Sequence, residues 1–288
     1  MIGTIVALVV RLLAVLAMMR RAQQKKSLTN EGIAAAVLVG FVHAIHPWSI
    51  FTVLLFAFFI TGTAFTKVKA DKKRLLTVSS SGTEGGEGPR NEIQVLANSL
   101  VATVLIILHL LFESKACFSS SVLVVGIVTQ YAAVTADTWS SELGILSQER
   151  PFLITTFRPC PPGTNGGVSS AGLAAGMAGG ALVGILAALF APFCSSWNFL
   201  SRLQFAFAIM LAGLAGSILD SILGALFQES VVNDRGVIIE AAGGRKQTVK
   251  GKHISGKNIL SNNGVNLAMA TIMPLFSMFV AWAVFRFE

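Results

Sequence analysis

Residues 28–67 read LTNEGIAAAVLVGFVHAIHPWSIFTVLLFAFFITGTAFTK, and the way this stretch divides decides the fold. As a single helix it is about twice the ~20 residues a bilayer requires. It would also carry Lys67, Lys69, Lys72, Lys73 and Arg74 across the membrane from Arg20, Arg21, Lys25 and Lys26, against the positive-inside rule. His46-Pro47-Trp48 supplies a break, because proline turns the preceding residue away from helix and tryptophan favours the membrane interface. The spacing therefore predicts a short helix over 31–44 and a fuller one over 48–66, with both basic clusters on one side.

The same rule extends outward. Residues 2–19 form an apolar span without the charged leader and small-residue cleavage pattern of a signal peptide, and are read as a retained helix. Arg11 inside it is costly in lipid, so it faces the bundle or snorkels. Beyond residue 67, a span over 93–112 leads away and one over 118–136 returns, bringing Asp137 to the basic side. Spans over 168–192, 203–227 and 265–285, the last with Pro274 as a kink, make about eight helices counting the short one. Both termini then lie on the far side.

The bounds agree with this reading. The 288 residues are 53% hydrophobic and 12% charged, with a mean hydropathy of +0.71. Only helices and closed barrels satisfy the backbone in lipid, so the expectation is an all-α polytopic membrane protein forming one helical domain over 1–288. The net charge of +8 belongs to loops facing anionic headgroups and does not imply nucleic acid. Two such loops are expected on the basic side. Residues 69–90 include SSSGTEGGEGPR, too polar to bury a core and expected to be mobile. Residues 228–258 carry Arg235, Arg245, Lys246, Lys250, Lys252 and Lys257, and within them VVNDRGVIIE (231–240) places turn residues between β-branched runs, which predicts a hairpin.

Glycine organises the packing. Gly172, Gly176, Gly180 and Gly184 recur every fourth residue and form one helix face open to close backbone approach. In the next span Gly213, Gly216, Ser217, Asp220 and Gly224 follow spacings of three and four, so Asp220 points into the bundle. An intramembrane acid marks a functional site by default; the alternative is a hydrogen-bonded or protonated structural acid.

The chemistry gathers in residues 133–167, AVTADTWSSELGILSQERPFLITTFRPCPPGTNGG. Acids where an apolar run meets water suit Mg²⁺, and a glycine turn just before a helix suits phosphate; a capped loop with solvated charges is the alternative. Asp137 and Asp220 are assigned to Mg²⁺, with Glu142 as a further ligand or water-mediated partner. On a continuous helix Asp137 and Glu142 lie about 140° apart, so they share an ion only if the helix breaks. Gly163, Thr164, Asn165, Gly166 and Gly167 form the phosphate cradle, although no Walker A pattern is present. Lys67 and Arg158 are the cationic clamps or else positive-inside anchors, and Asn262 and Asn263 bind nucleotide or cap the last helix. All of these residues except Arg158, which lies within the same loop, are expected at one mouth of the bundle.

Other reactive residues give less. His43, His46, His109 and His253 show no metal or acid–base spacing, and Ser140 and Ser141 lack a partnered base. Cys117, Cys160 and Cys194 read as packing residues first, although Cys117 and Cys194 share the far side, where a disulfide is conceivable.

AVTADTWSSELG (133–144), PFLITTFRPCPPGTNGGVSSAG (151–172), GSILDSILGALFQ (216–228) and HISGKNILSNNGVNL (253–267) resemble signatures of the integral-membrane family that includes plant phytyl-phosphate kinase and the transmembrane protein 19 proteins. LTNEGIAAAVLVG, FAFFITGTAFTKVK and RNEIQVLAN match as well, so the resemblance runs from about Leu28 to the C-terminus and leaves the first helix and the Gly/Ser-rich insert unexplained. It implies Mg²⁺-dependent transfer of a phosphoryl group from CTP or another nucleoside triphosphate to an isoprenoid monophosphate (phytyl, geranylgeranyl or polyprenyl phosphate), giving the diphosphate. The basic loops place the site of this multi-pass protein on the cytosolic side, with the endoplasmic reticulum or a related endomembrane as the default location; homo-oligomerisation stays open. The reading from another class is a transporter or lipid scramblase, which also uses interrupted helices and intramembrane acids. A CDP-alcohol transferase ranks last, because its D-G-x-x-A-R pattern is missing.

Overall fold

The computed structural model describes residues 2–78, 88–113, 117, 121–233, 236–240 and 251–285. The break in residues 28–67 falls where the proline requires it. Helix α2 (Asn30–Ile45) ends before His46-Pro47 and α3 (Ser49–Lys67) begins after Trp48. Thr29 starts α2 by accepting the Gly32 N–H at 3.0 Å. Helix α1 (Ile2–Gln24) pins the break from outside: Arg11 Nη1 donates to Pro47 O at 3.0 Å and Ser49 Oγ at 3.1 Å. Arg11 thus faces the bundle, where an interrupted backbone offers a carbonyl that an intact helix would have used itself.

The remaining helices are α4 (Ala70–Arg74), α5 (Glu92–Phe112), α6 (Val122–Gly144), α7 (Ser170–Phe190), α8 (Phe199–Phe227) and α9 (Asn262–Phe285). Six helices among the described residues, α3 and α5 to α9, are long and apolar enough to cross a membrane, while α2 is a shorter apolar helix. Their starts are chemically marked: Asn91 and Gln94 form a capping box on α5, and Ser121, Ser169 and Asn198 cap α6, α7 and α8. Aliphatic and aromatic residues such as Leu111, Leu189, Leu203 and Phe279 face outward, as expected of lipid-facing surfaces. The fold is all-α and polytopic. Beyond the expected helices it adds α4, inside the 69–90 loop; residues 79–87 of that loop, together with Arg235, Arg245, Lys246 and Lys250, lie outside the described residues.

Helix α6 is the axis of the bundle, buried almost continuously from Val124 to Ala136. Helices α7 and α8 close on it through the glycine faces read from the sequence. A Cβ at Gly180 would meet Met210 O at 2.7 Å, one at Gly184 would strike Ala206 O, and one at Gly213 would sit 2.8 Å from Gly180 Cα. Gly180→Val therefore forces the two backbones apart, and we expect it to cost about 1–3 kcal/mol, measured as reversible unfolding in detergent.

At the far ends of these helices, Cys117 between α5 and α6 is disulfide-bonded to Cys194 between α7 and α8. The pairing was conceivable from the side they share, while the preference for packing residues is corrected for these two; Cys160 alone is free and buried. Three of the four histidines form a cluster that their spacing does not announce. His43, His46 and His109 are fully buried, and distant segments bring them together. Trp48 N–H donates to His46 Nδ1 at 3.0 Å, so His46 carries its proton on Nε2 and donates to His109 Nδ1 at 2.9 Å. His43 Nε2 lies 2.6 Å from the Tyr131 hydroxyl. Their separation in sequence hid the cluster, and among the described residues no group of three or more His, Cys, Asp or Glu is placed to hold a metal.

Opposite the disulfide, small β-elements cover the helix ends. The expected hairpin forms from β4 (Ser230–Val232) and β5 (Ile238–Glu240), with Asn233 N donating to Val237 O at 3.0 Å. Strands β1 (Thr77–Val78) and β6 (Lys252–Ser255) extend it to a four-stranded sheet of order β1-β5-β4-β6, with β1 parallel to β5. A second, two-stranded sheet pairs β2 (Phe152–Leu153) with β3 (Gly167–Val168).

Candidate active site at one mouth of the bundle

A cavity of about 550 Å³ opens between the ends of α3, α6, α8 and α9, beneath the glycine turn. Lys67, Asp137, Glu142, Gly163 to Gly167, Asp220, Asn262 and Asn263 all line it. Arg158 does not: it is exposed on the loop between β2 and β3, where its carbonyl accepts from Leu153 N.

The carboxylates come first. Asp137 and Asp220, contributed by α6 and α8, meet as hydrogen-bonding neighbours. With its amide nitrogen turned toward acceptors, Asn266 donates to Asp220 Oδ1 and to Asn262 O, each at 3.2 Å. Glu142 goes elsewhere. Helix α6 runs unbroken to Gly144, so the angular separation holds, and Glu142 pairs with Lys73 Nζ at 2.5 Å and accepts from Thr66 Oγ1 at 2.9 Å. Lys73 also donates to Phe65 O at 2.9 Å, and Arg90 Nη2 donates to Thr66 Oγ1 at 3.2 Å. Glu142 is thus part of a network that fixes cations at the cavity wall.

The glycine turn is held from three sides. Gly163 and Gly166 have φ of +84° and +78°, which glycine adopts without strain. Side chains at either would collide, with the Thr77 methyl at Gly163 and with α8 at Gly166, where Ser221 O would lie 2.6 Å away. Ser230 Oγ accepts from Asn165 N at 3.0 Å and Ser255 donates to Asn165 O at 3.4 Å, so β4 and β6 grip the turn. Several of its N–H groups are therefore committed: Thr164 N to Pro161 O, Asn165 N to Ser230 and Gly167 N to Thr164 O. What the region offers in their place is amide side chains. Asn165 Nδ2 and Gln228 Nε2 are buried without a hydrogen-bond partner in residues that line the cavity. An unsatisfied buried donor costs roughly 1–3 kcal/mol, and such donors beside a cavity suit an acceptor-rich ligand. Behind the turn, burial pushes the Cys160 thiol up, against a hydrogen bond with Thr164 that pulls it down, so this thiol stays neutral.

Asn262 and Asn263 leave the capping to Ser261, whose Oγ accepts the Gly264 N–H at 3.2 Å. Sequence reasoning missed Asn266, Lys73, Arg90 and Gln228. Asn266 was detectable, since it lies three and four residues beyond the two asparagines on the same helical face. Lys73 was not, because nothing in Lys72-Lys73-Arg74 distinguishes the one that is buried.

The fold and the site define a polytopic helical membrane protein with a polar, carboxylate-bearing cavity at one mouth. The chain belongs to the family described as Integral membrane protein DUF92, whose model matches residues 13–274. It is 41% identical over 258 residues to Protein PGR of Arabidopsis thaliana, covering 85% of this chain and 86% of that protein. An uncharacterised membrane protein of Methanocaldococcus jannaschii is 31% identical over 235 residues, 81% of this chain and 89% of its own. Protein VTE6, chloroplastic, of Arabidopsis thaliana is 33% identical over 204 residues, 70% of this chain and 57% of its own length. No solved structure matches.

Proposed function

We propose that the protein transfers a phosphoryl group from a nucleoside triphosphate, CTP in preference, to a membrane-embedded isoprenoid monophosphate, releasing the diphosphate. The observation that carries this reading is the meeting of Asp137 and Asp220 in a cavity that also contains cations and buried amide donors without partners. Family membership and the motif resemblance to plant phytyl-phosphate kinase support it.

The donor set suits Mg²⁺. This ion is commonly held by one or two carboxylates together with substrate phosphates, and Asp137 and Asp220 would supply the carboxylates, with no third acidic ligand beside them among the described residues. When bound, it would neutralise charge on the phosphate oxygens. The chain's own residues do the rest. Lys67 and Arg90 place positive charge along the wall, Glu142 and Thr66 hold Lys73 and Arg90 in position, and Asn165 and Gln228 donate to phosphate oxygens. Phosphoryl transfer needs little covalent chemistry from protein and depends on positioning and electrostatics.

The mouth is assigned to the cytosol, where nucleotide is found, in an endoplasmic-reticulum or related endomembrane. Lys25, Lys26, Lys67 and Arg74 gather at the cavity, and the disulfide lies at the opposite ends of the same helices, in keeping with positive-inside loops and an oxidising far compartment. Helix α9 runs away from the mouth, so a C-terminal tag is expected to resist protease added to the cytosolic face of sealed membranes; ready cleavage reverses the assignment. Activity is tested with purified protein and Mg²⁺, comparing CTP and ATP against phytyl, geranylgeranyl and farnesyl monophosphates. Diphosphate formation is the expected result. No product from folded protein with any pair directs attention to lipid flux in liposomes, the transporter reading.

A further inference from the structure

We infer that the small apolar chamber between α1, α2, α3 and α5 receives the first part of the hydrocarbon tail of the lipid phosphate whose headgroup occupies the polar cavity. This assignment rests on the lipid-phosphate reading of that cavity. The chamber has a volume of about 50 Å³ and is walled by Met18, Met19, Val39, Leu55, Phe59 and Val95. Its other end is not separate from the active-site cavity: Phe58, Arg90, Gln94 and Asn98 line both.

That shared rim has the polarity an amphiphile requires. Arg90 is fixed on the polar side through Thr66, and its backbone is tied to the start of α2, with its N–H donating to Ser27 O and its carbonyl accepting from Thr29 N, each at 3.0 Å. Gln94 and Asn98 follow on one face of α5 at the four-residue helical spacing, and Phe58 faces them from α3. Beyond this rim the lining is largely aliphatic, aromatic and thioether. A phosphate at Arg90 therefore directs its attached carbon chain past Phe58 and into the chamber.

Size decides how much of the tail enters. At roughly 10–15 Å³ per water-sized group, the chamber accepts about four such groups, close to one branched five-carbon unit. The remainder of the tail stays in the bilayer. Met18 and Met19 suit this role, because unbranched thioethers adapt to the methyl branches of an isoprenoid. Helix α1, which precedes the stretches that carry the motif resemblance, thereby acquires a function of its own, closing the chamber on one side.

The test uses the full-length protein with an isoprenoid monophosphate bearing a diazirine in its first five-carbon unit, irradiated and mapped by mass spectrometry. Adducts are expected on Met18, Met19, Phe59 or Val95. Ala36→Phe, which fills the chamber from α2, is expected to reduce labelling by at least about tenfold, and Met18→Trp, which fills it from α1, by a similar factor. Retention of the Cys117–Cys194 disulfide checks the fold of each variant, and adduct mapping on the wild type needs neither. Unlabelled phytyl phosphate should compete and phosphatidic acid should not. Adducts confined to α8 or α9, undiminished labelling in both folded variants, or equal competition by phosphatidic acid overturns the assignment. Labelling does not require catalysis. Chamber adducts without diphosphate formation leave the chamber standing and remove the kinase reading, whereas diphosphate formation with adducts elsewhere does the reverse.

Discussion

Asp137→Asn is expected to lower phosphoryl transfer by about 10²–10³-fold, the scale of removing one preorganised electrostatic group from a site. The substitution keeps shape and hydrogen-bonding capacity while removing charge. Asp137 lies where the buried run of α6 gives way to the cavity, so its loss leaves the packed stretch Val124–Ala136 untouched and the protein folded. Asp220→Asn should behave alike. The double variant should lose little more than either single one, since two groups that act on one centre are not additive. Initial rates at saturating lipid phosphate, with Mg²⁺ varied, separate weakened metal affinity from a lost chemical step. Wild-type activity in Asp137→Asn removes it from the role assigned to it. Arg158→Gln is the comparison, because that residue is outside the cavity lining and its replacement should change the rate by less than about twofold.

Lys73→Met is expected to destabilise the protein by about 3–5 kcal/mol, because it leaves the Glu142 carboxylate without its cation. The side chains of the pair are only 9% and 15% exposed, so water cannot readily replace the missing partner. The double variant Lys73→Met/Glu142→Gln removes both charges and should recover most of the loss. Unfolding of the four proteins in one detergent gives the coupling energy directly, and full additivity would show that the pair contributes nothing as a pair. The same variants separate scaffold from chemistry. Glu142→Gln should reduce activity through misplacement of Lys73 and Arg90, and less severely than Asp137→Asn.

The helices were legible because lipid allows few solutions: a proline, a tryptophan and two basic clusters were enough to divide residues 28–67. The glycine faces were legible for the same reason, since a four-residue repeat leaves little but close packing. Asp137, Asp220 and the glycine turn could be placed at one mouth from parity alone. What could not be read were partners brought together by tertiary structure. The burial of Lys73 depends on where α4 docks, the commitment of the Asn165 N–H depends on a serine in β4, and the His46–His109 contact joins the break between α2 and α3 to α5, which sequence does not relate. Asn266 is a different case, because helical periodicity alone would have found it.

The four-stranded sheet over the mouth has a consequence for biosynthesis. Its edge strand β1 is made early, yet its neighbour β5 and the strands that grip Asn165 are translated after α8, and Asn262 and Asn266 come later still. At about 5–20 residues per second, roughly 6 to 26 seconds separate synthesis of Asp137 from that of Asn266. During that interval Asp137, then the glycine turn and then Asp220 enter the membrane one after another, each before the asparagines that later surround them. A ribosome that stops before α9 leaves a chain whose helices can insert but whose site cannot close, and such a chain is the form quality control should recognise.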